Sequence, residues 1–252
     1  MADTSTPDKA SPLRELLETL RTVTGGVLIA LAIHSVVAQP FTIPSSSMEP
    51  TLVTGDYIIV SKFAYGWSGA SLPFDLPLGS GRLLGKGPQR GDVVVFRLPR
   101  DPGQVWVKRV IGLPGDRVQV RAGIVSVNDV VLRETFMGAT TDHDQPLRPV
   151  TLARETLPEG RVHALYTGDP GAPQENTGVY VVPPGDYFMM GDNRDNSLDS
   201  RWPGTEGVGF LPARNILGRA MFIVASWRPG SSLFKPWTWL NFQPGRFGRA
   251  IT

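Results

Sequence analysis

Between Arg21 and Glu49 the chain carries no charged residue, and the most apolar part of that gap is VLIALAIHSVVA, residues 27–38. So apolar a stretch must be covered by protein or lipid. Crossing a bilayer takes about 20 mostly apolar residues. Residues 22–43 reach that length only by including His34, Ser35, Gln39 and Pro40, and the expectation is a transmembrane anchor over 22–43. Upstream, SPLRELLETLR (residues 11–21) sets Leu13, Leu16, Leu17 and Leu20 at helical spacing behind Ser11 and Pro12, the pattern of a helix start. That stripe suits either the membrane interface or packing on protein. Lys9, Arg14 and Arg21 precede the gap and the next cation is Lys62. By the positive-inside bias, residues 1–21 form a cytoplasmic amphipathic segment and residues 44–252 lie outside the membrane. The rival reading is a leader cleaved after Ala38; Asp3, Asp8, Glu15 and Glu18 in the flank speak against it. His34 is either a tolerated residue near one end of the segment or a functional intramembrane group.

Beyond the gap the pattern changes to short β-branched and aromatic runs closed by Gly or Pro. DYIIVSKFAYG (56–66), GDVVVFRLP (91–99), VWVKRVIGLPGD (105–116) and RAMFIVAS (219–226) each read as strands. DRVQVRAGIVSVNDVVL (116–132) alternates around Ala122-Gly123 and again before Asn128-Asp129, the pattern of hairpins, and GVYVVPPGDYFMM (178–190) gives two more strands around Pro183-Pro184-Gly185. With 28 Gly and 23 Pro in 252 residues, the composition suits many turns better than long helices. The expected fold is mostly β: an antiparallel-sheet domain after one N-terminal helix, with an inserted subdomain over about residues 117–180. Residues 66–89 and 138–178 read as irregular excursions.

Several function classes drop out. A net charge of +2 gives no call for nucleic acid. Without Cys there is no disulfide framework and no thiolate nucleophile. His34, His143 and His163 form no HExxH-type pair, so the expectation is no metal and no cofactor.

The chemistry concentrates in three places. In IPSSSMEPTL (43–52), Ser45 and Ser47 share one side of an extended chain and Ser46 takes the other. One hydroxyl then suits a nucleophile and its neighbour an oxyanion donor, unless the run is a plain turn. In VKRVIGLPGD, Lys108 shares its strand face with Trp106 and Val110. A lysine flanked by apolar bulk is either a desolvated, neutral general base or a cation snorkelling to water. GDNRDNSLDSR (191–201) supplies a further hydroxyl, Ser197, and a close pair, Asp199 and Arg201, suited to orienting a lysine.

PSSSMEPTL, GDYIIVSKFAYG, GDVVVFRLP with VWVKRVIGLPGD, and GDNRDNSLDSR together resemble the ordered motifs of type I bacterial signal peptidases, and the likeness continues in GFLPARNILGRA (209–220). The resemblance implies a mostly β, membrane-bound serine endopeptidase that uses a Ser-Lys dyad to remove signal peptides from exported preproteins. It implies Ser47 as nucleophile, Lys108 as general base, and Ser45 with the Ser47 backbone N–H as oxyanion hole. Ser197 would hold the Lys108 amine, with Asp199 and Arg201 in support. Phe41, Ile43, Met48, Leu52 and Trp106 would line the substrate pockets, and the partners would be signal peptides and the lipid bilayer. The implied location is the bacterial inner membrane, single-pass, with a cytoplasmic N-terminus and the catalytic domain on the periplasmic side. RWPGTEGVGFLP (201–212) is longer than the compact turn of some members of that family. Two other classes remain at this point: an S-x-x-K acyltransferase, from SLFK at 232–235 but without the SDN and KTG partners, and a non-catalytic membrane-tethered β module.

Overall fold

The computed structural model describes residues 12–67, 85–168, 171–228, 230–231 and 235–252. Ser11, residues 1–10, most of the Gly- and Leu-rich stretch 66–89 and the first three residues of SLFK lie outside the described residues. The elements are α1 (Pro12–Val36), β1 (Ala38–Thr42), β2 (Asp56–Ser61), β3 (Val93–Leu98), β4 (Asp101–Gly112), β5 (Arg117–Arg121), β6 (Ile124–Val127), β7 (Val130–Val131), β8 (Arg133–Thr141), β9 (Pro149–Thr156), β10 (Val162–Thr167), β11 (Tyr180–Val181), β12 (Asp186–Met190), β13 (Phe210–Pro212) and β14 (Ile216–Ser226).

Seven of these strands form one sheet in the order β1-β2-β14-β3-β4-β12-β13, with every pairing antiparallel. β3 lies mid-sheet, and its residues alternate between two cores. Val93 and Val95 join Met48, Leu52, Ile58 and Val107, while Val94 and Phe96 join Val110, Met189 and Leu211. A strand buried on both faces reads as an unbroken apolar run, which is why VVVF shows no alternation. Lys108 sits on β4 directly opposite Val94.

The segment after β4 builds two smaller sheets, β11-β5-β6-β7 and β10-β9-β8. Their turns carry the backbone that the sequence requires: Ala122 and Gly123 have φ of 47° and 78°, Asn128 and Asp129 have 52° and 64°. Positive φ at both central residues is the two-residue hairpin geometry that matches strand twist. The first small sheet shares a core with the large one, since Val118, Val120, Val125 and Val127 pack with Ile111, Phe188 and Met190.

Two expectations change. Residues 138–178, read as irregular, contain β9 and β10. The alternation is masked because a core-facing position of β9 is Glu155, fully buried and held by Arg194 Nη2 at 2.8 Å. The expected anchor over 22–43 is also shorter than its helix pattern implied. α1 ends at Val36, and Ala38–Thr42 is instead a strand paired with β2. No helix among the described residues is long and apolar enough to cross a membrane. With Arg14, Glu15, Glu18 and Arg21 in its first half, the charge-free part of α1 covers residues 22–36, about 22 Å at 1.5 Å per residue, against about 30 Å of hydrocarbon. Leu13, Leu16, Leu17 and Leu20 are 57–66% exposed, so the leucine stripe does not pack on protein.

Candidate active site

Pro44 and Ser45 approach the site as extended chain, and Ser46–Met48 close into one turn of 3-10 helix. Met48 and Leu52 are fully buried in the core and bonded backbone to backbone, Leu52 N to Met48 O at 2.9 Å. This anchors the turn and fixes where Ser47 points. The strict two-residue alternation expected for the serines therefore stops at Ser45. Ser45 and Ser47 nevertheless line the same cleft. Ser46 is engaged elsewhere, its Oγ accepting from Asn196 Nδ2 at 2.8 Å.

β4 delivers Lys108 to that turn. Its Nζ lies 2.6 Å from Ser47 Oγ and donates to Val107 O at 3.1 Å, with the Trp106 ring centroid 5.5 Å away. Lys108 is only 4% exposed and Ser47 9%; the lysine head does not reach water. Burial lowers the Lys108 pKa from the ordinary 10.5 to about 8, with Asp199 and Asp192 pulling it up and Arg201 pushing it down. A neutral amine is then accessible near physiological pH, and it sits at hydrogen-bond distance from a serine hydroxyl.

The loop after β12 closes the third side. Asp199 is fully buried and accepts from Arg201 Nε at 2.9 Å, Arg201 Nη2 at 2.8 Å and Gly191 N at 3.0 Å. Burial opposes its ionisation, but Arg201 and these backbone donors outweigh it and hold the carboxyl below its ordinary range. The same loop binds the Ser47 backbone, Asn193 N donating to Ser47 O at 3.2 Å. Gly191 is pinched between the two: a Cβ there would lie 2.3 Å from Ser197 Oγ and 2.5 Å from Ser47 O. Ser197 lines the cleft, but its buried Oγ makes no hydrogen bond, so the expected bond from Ser197 to the lysine amine is not formed in this structure.

The cleft around Ser47 and Lys108 has a volume of about 480 Å³, and Val105, Trp106, Leu198 and Trp202 form much of its wall. Of the five residues expected to line the substrate pockets, Trp106 is the one that lines this cleft. Ile43, Met48 and Leu52 are core residues and Phe41 packs on that core. A larger cavity of about 660 Å³, walled by Tyr57, Trp227, Trp239 and Phe242, meets the first only at Pro44 and is lined by neither Ser47 nor Lys108. Sequence reasoning missed Gly191, Asn193, Asn196 and the buried pair Arg109–Asp192, whose bonds run from Nε to Oδ1 at 2.8 Å and from Nη2 to Oδ2 at 2.7 Å. The composition of the 191–201 loop marked Gly191, Asp192, Asn193 and Asn196 as turn formers, but their partners, Arg109 among them, lie up to 150 positions away.

Residues 16–227 match the family model described as signal peptidase, peptidase S26. Among curated proteins, the chain is similar to signal peptidase I of Rickettsia typhi, 40% identical over 205 residues that cover 78% of this chain and 75% of the relative. It is 41% identical to that of Rickettsia canadensis with the same coverage. Among solved structures, it matches a signal peptidase I from Enterococcus faecalis at 30% identity and a TM-score of 0.32, covering 53% of this chain and 97% of that one.

Proposed function

Because this chain belongs to the signal peptidase family, peptidase S26, and is thereby a serine endopeptidase that removes signal peptides, we propose that Ser47 is its nucleophile and Lys108 its general base. The observation that carries this reading is the 2.6 Å contact between Lys108 Nζ and Ser47 Oγ in a buried setting. Neutral Lys108 takes the hydroxyl proton as Ser47 Oγ bonds to the carbonyl carbon at the end of the signal peptide. Ser45 and the Ser47 backbone N–H stabilise the oxyanion. The lysine ammonium returns its proton to the departing amine, which breaks the peptide bond. A water molecule, deprotonated by neutral Lys108, then attacks the acyl carbon; the ester bond to Ser47 Oγ breaks, Lys108 returns that proton to Oγ, and the signal peptide leaves. Asp199 and Arg201 act as positioning residues, since they hold the 191–201 loop against Ser47 and set the field at Lys108.

The substrate lies extended between Pro44-Ser45 and the stretch 105–107 of β4. β3 takes one edge of that stretch, and its other side borders the cleft, while β12 pairs with β4 only from Arg109 onward. An added strand gains backbone hydrogen bonds there and presents alternate side chains to the cleft wall, which suits a small-x-small cleavage sequence.

The exposed apolar side of α1 supports attachment to the bacterial inner membrane, with the N-terminus cytoplasmic and the catalytic domain on the outer side. A single pass through 22–36 requires local bilayer thinning or flanking residues that reach the interface. Protease protection in intact spheroplasts checks this orientation; digestion of the N-terminus from outside would refute it.

Incubation of the detergent-solubilised full chain with a labelled preprotein tests the catalytic reading. Wild type is expected to release the signal peptide, and Ser47→Ala and Lys108→Arg are expected to release none, since a guanidinium cannot accept the serine proton. Substantial cleavage by Lys108→Arg would refute the dyad, and an uncut precursor with wild type would favour a non-catalytic module.

A further inference from the structure

Outside the cleft, potential metal ligands converge from two distant parts of the sequence, Glu49 next to the Ser46–Met48 turn and the neighbours His143 and Asp144 between β8 and β9. We propose that Glu49, His143 and Asp144 form a binding site for a divalent cation of the zinc class, which clamps the Ser47 turn to the loop between β8 and β9. The candidate ligand atoms all lie within 4.8 Å of one another. His143 Nδ1 is 3.2 Å from Asp144 Oδ1 and 3.8 Å from Glu49 Oε1. Ligands at about 2.0–2.2 Å around a tetrahedral ion stand about 3.3–3.6 Å apart, so the trio needs only a small closure to bind one.

Glu49 supplies the second, independent indication. Its side chain is fully buried, yet Oε1 accepts no hydrogen bond. Oε2 is fastened by the His143 backbone N–H at 2.9 Å, which leaves Oε1 turned toward the imidazole. A buried carboxylate oxygen without a donor is costly. The carboxylates of Asp142 and Asp144 crowd the same point. A cation at this point satisfies the free oxygen and offsets the crowding of acidic groups. One imidazole nitrogen with two carboxylate oxygens is a donor set for Zn²⁺ and its transition-metal neighbours rather than for Mg²⁺ or Ca²⁺.

The surrounding residues hold these ligands as an outer shell would. Thr54 Oγ1 donates to Asp144 Oδ2. Asp142 Oδ1 accepts the backbone N–H groups of Asp144 and Gln145, both at 3.0 Å, and its Oδ2 accepts Asn193 Nδ2 at 2.9 Å. Asn193 also donates its backbone N–H to Ser47 O, so the cluster is continuous with the support of the nucleophile. None of the three proposed ligands lines the cleft. The ion is structural on this account and takes no part in the reaction. The His143 and Asp144 side chains are 38% and 21% exposed, which gives the ion a route in and leaves a position for water.

The test uses the full chain in detergent, stripped of metal with a chelator and titrated with Zn²⁺ by equilibrium dialysis and by thermal melting. Wild type is expected to bind one Zn²⁺ per chain, and at about a hundred times Kd its Tm should rise by roughly 5–10 °C. His143→Ala and Asp144→Asn should each weaken binding at least tenfold, and their metal-free Tm, compared with wild type, shows that they fold. Ser47→Ala should bind Zn²⁺ like wild type, which separates this site from the catalytic assignment. Absence of Zn²⁺ binding by wild type, or undiminished affinity in both ligand variants, would overturn the proposal.

Discussion

Replacing Lys108 by Met should abolish cleavage and at the same time stabilise the protein near neutral pH. The folded state holds the lysine proton with a pKa of about 8, whereas an exposed lysine holds it with 10.5. At about 1.4 kcal/mol per pH unit, a protonated Lys108 costs the folded state about 3 kcal/mol relative to the unfolded chain. Met has a similar stem and no charge to desolvate. Losing the hydrogen bond to Ser47 takes back about 1 kcal/mol. The net gain at pH 7 is about 2 kcal/mol, a Tm increase of roughly 4–8 °C for a domain of this size. The sign of the pH dependence follows from the lowered value. The cost is fully present below pH 8, where both states hold the proton. It fades between about 8 and 10.5, where the unfolded chain alone holds it, and vanishes above. Thermal melts of wild type and Lys108→Met at pH 7 and pH 10, run beside a preprotein cleavage assay, measure both effects. A Met variant less stable than wild type at pH 7, or a Tm difference that does not shrink as pH rises, would refute a desolvated Lys108.

The same lowering predicts that kcat/KM of wild type rises with pH through about 8, as the amine loses its proton; a flat profile between pH 6.5 and 9 would contradict it. Ser46→Ala should keep most of the activity that Ser47→Ala loses, because Ser46 Oγ is committed to Asn196, and full loss in the Ser46 variant alone would reverse the assignment. Ser45→Ala should lower kcat about a hundred- to a thousandfold with less change in substrate affinity, as for loss of one oxyanion donor; kinetics that show only weaker binding would place Ser45 with the ground state. Gly191→Ala should cost about 1–3 kcal/mol of stability and lower kcat/KM more than tenfold, because the new methyl group strikes both Ser197 Oγ and Ser47 O. A fully active Ala variant would show that the loop yields freely. Asp199→Asn should cost about 3–5 kcal/mol by leaving Arg201 buried without its partner, and in the folded fraction the acid limb of the rate profile should move to lower pH, since Asp199 raises Lys108 and Arg201 remains.

What was legible in the sequence was whatever local chemistry dictates. The hairpins at Ala122-Gly123 and Asn128-Asp129 follow from which residues tolerate positive φ, and the β4 face shared by Lys108, Trp106 and Val110 follows from the pleat. Glu155 broke the pattern of β9 because a buried charge depends on Arg194, 39 residues on, which no local window contains. The length of the uncharged gap was visible, but its division at Val37 was not: Ala38–Thr42 becomes a strand because β2 offers an edge to pair with. The serine run and the lysine were each ambiguous alone, a turn and a snorkelling cation being the plainer local readings. Tertiary structure buries both and sets them 2.6 Å apart across 61 positions of chain. The sequence determined which side chains were available and which backbone shapes they permit, since those preferences are local. Desolvation and convergence are properties of the packed interior, so only the fold decided that Lys108 loses its proton readily, that Met48 and Leu52 turn inward, and that Glu49 faces His143.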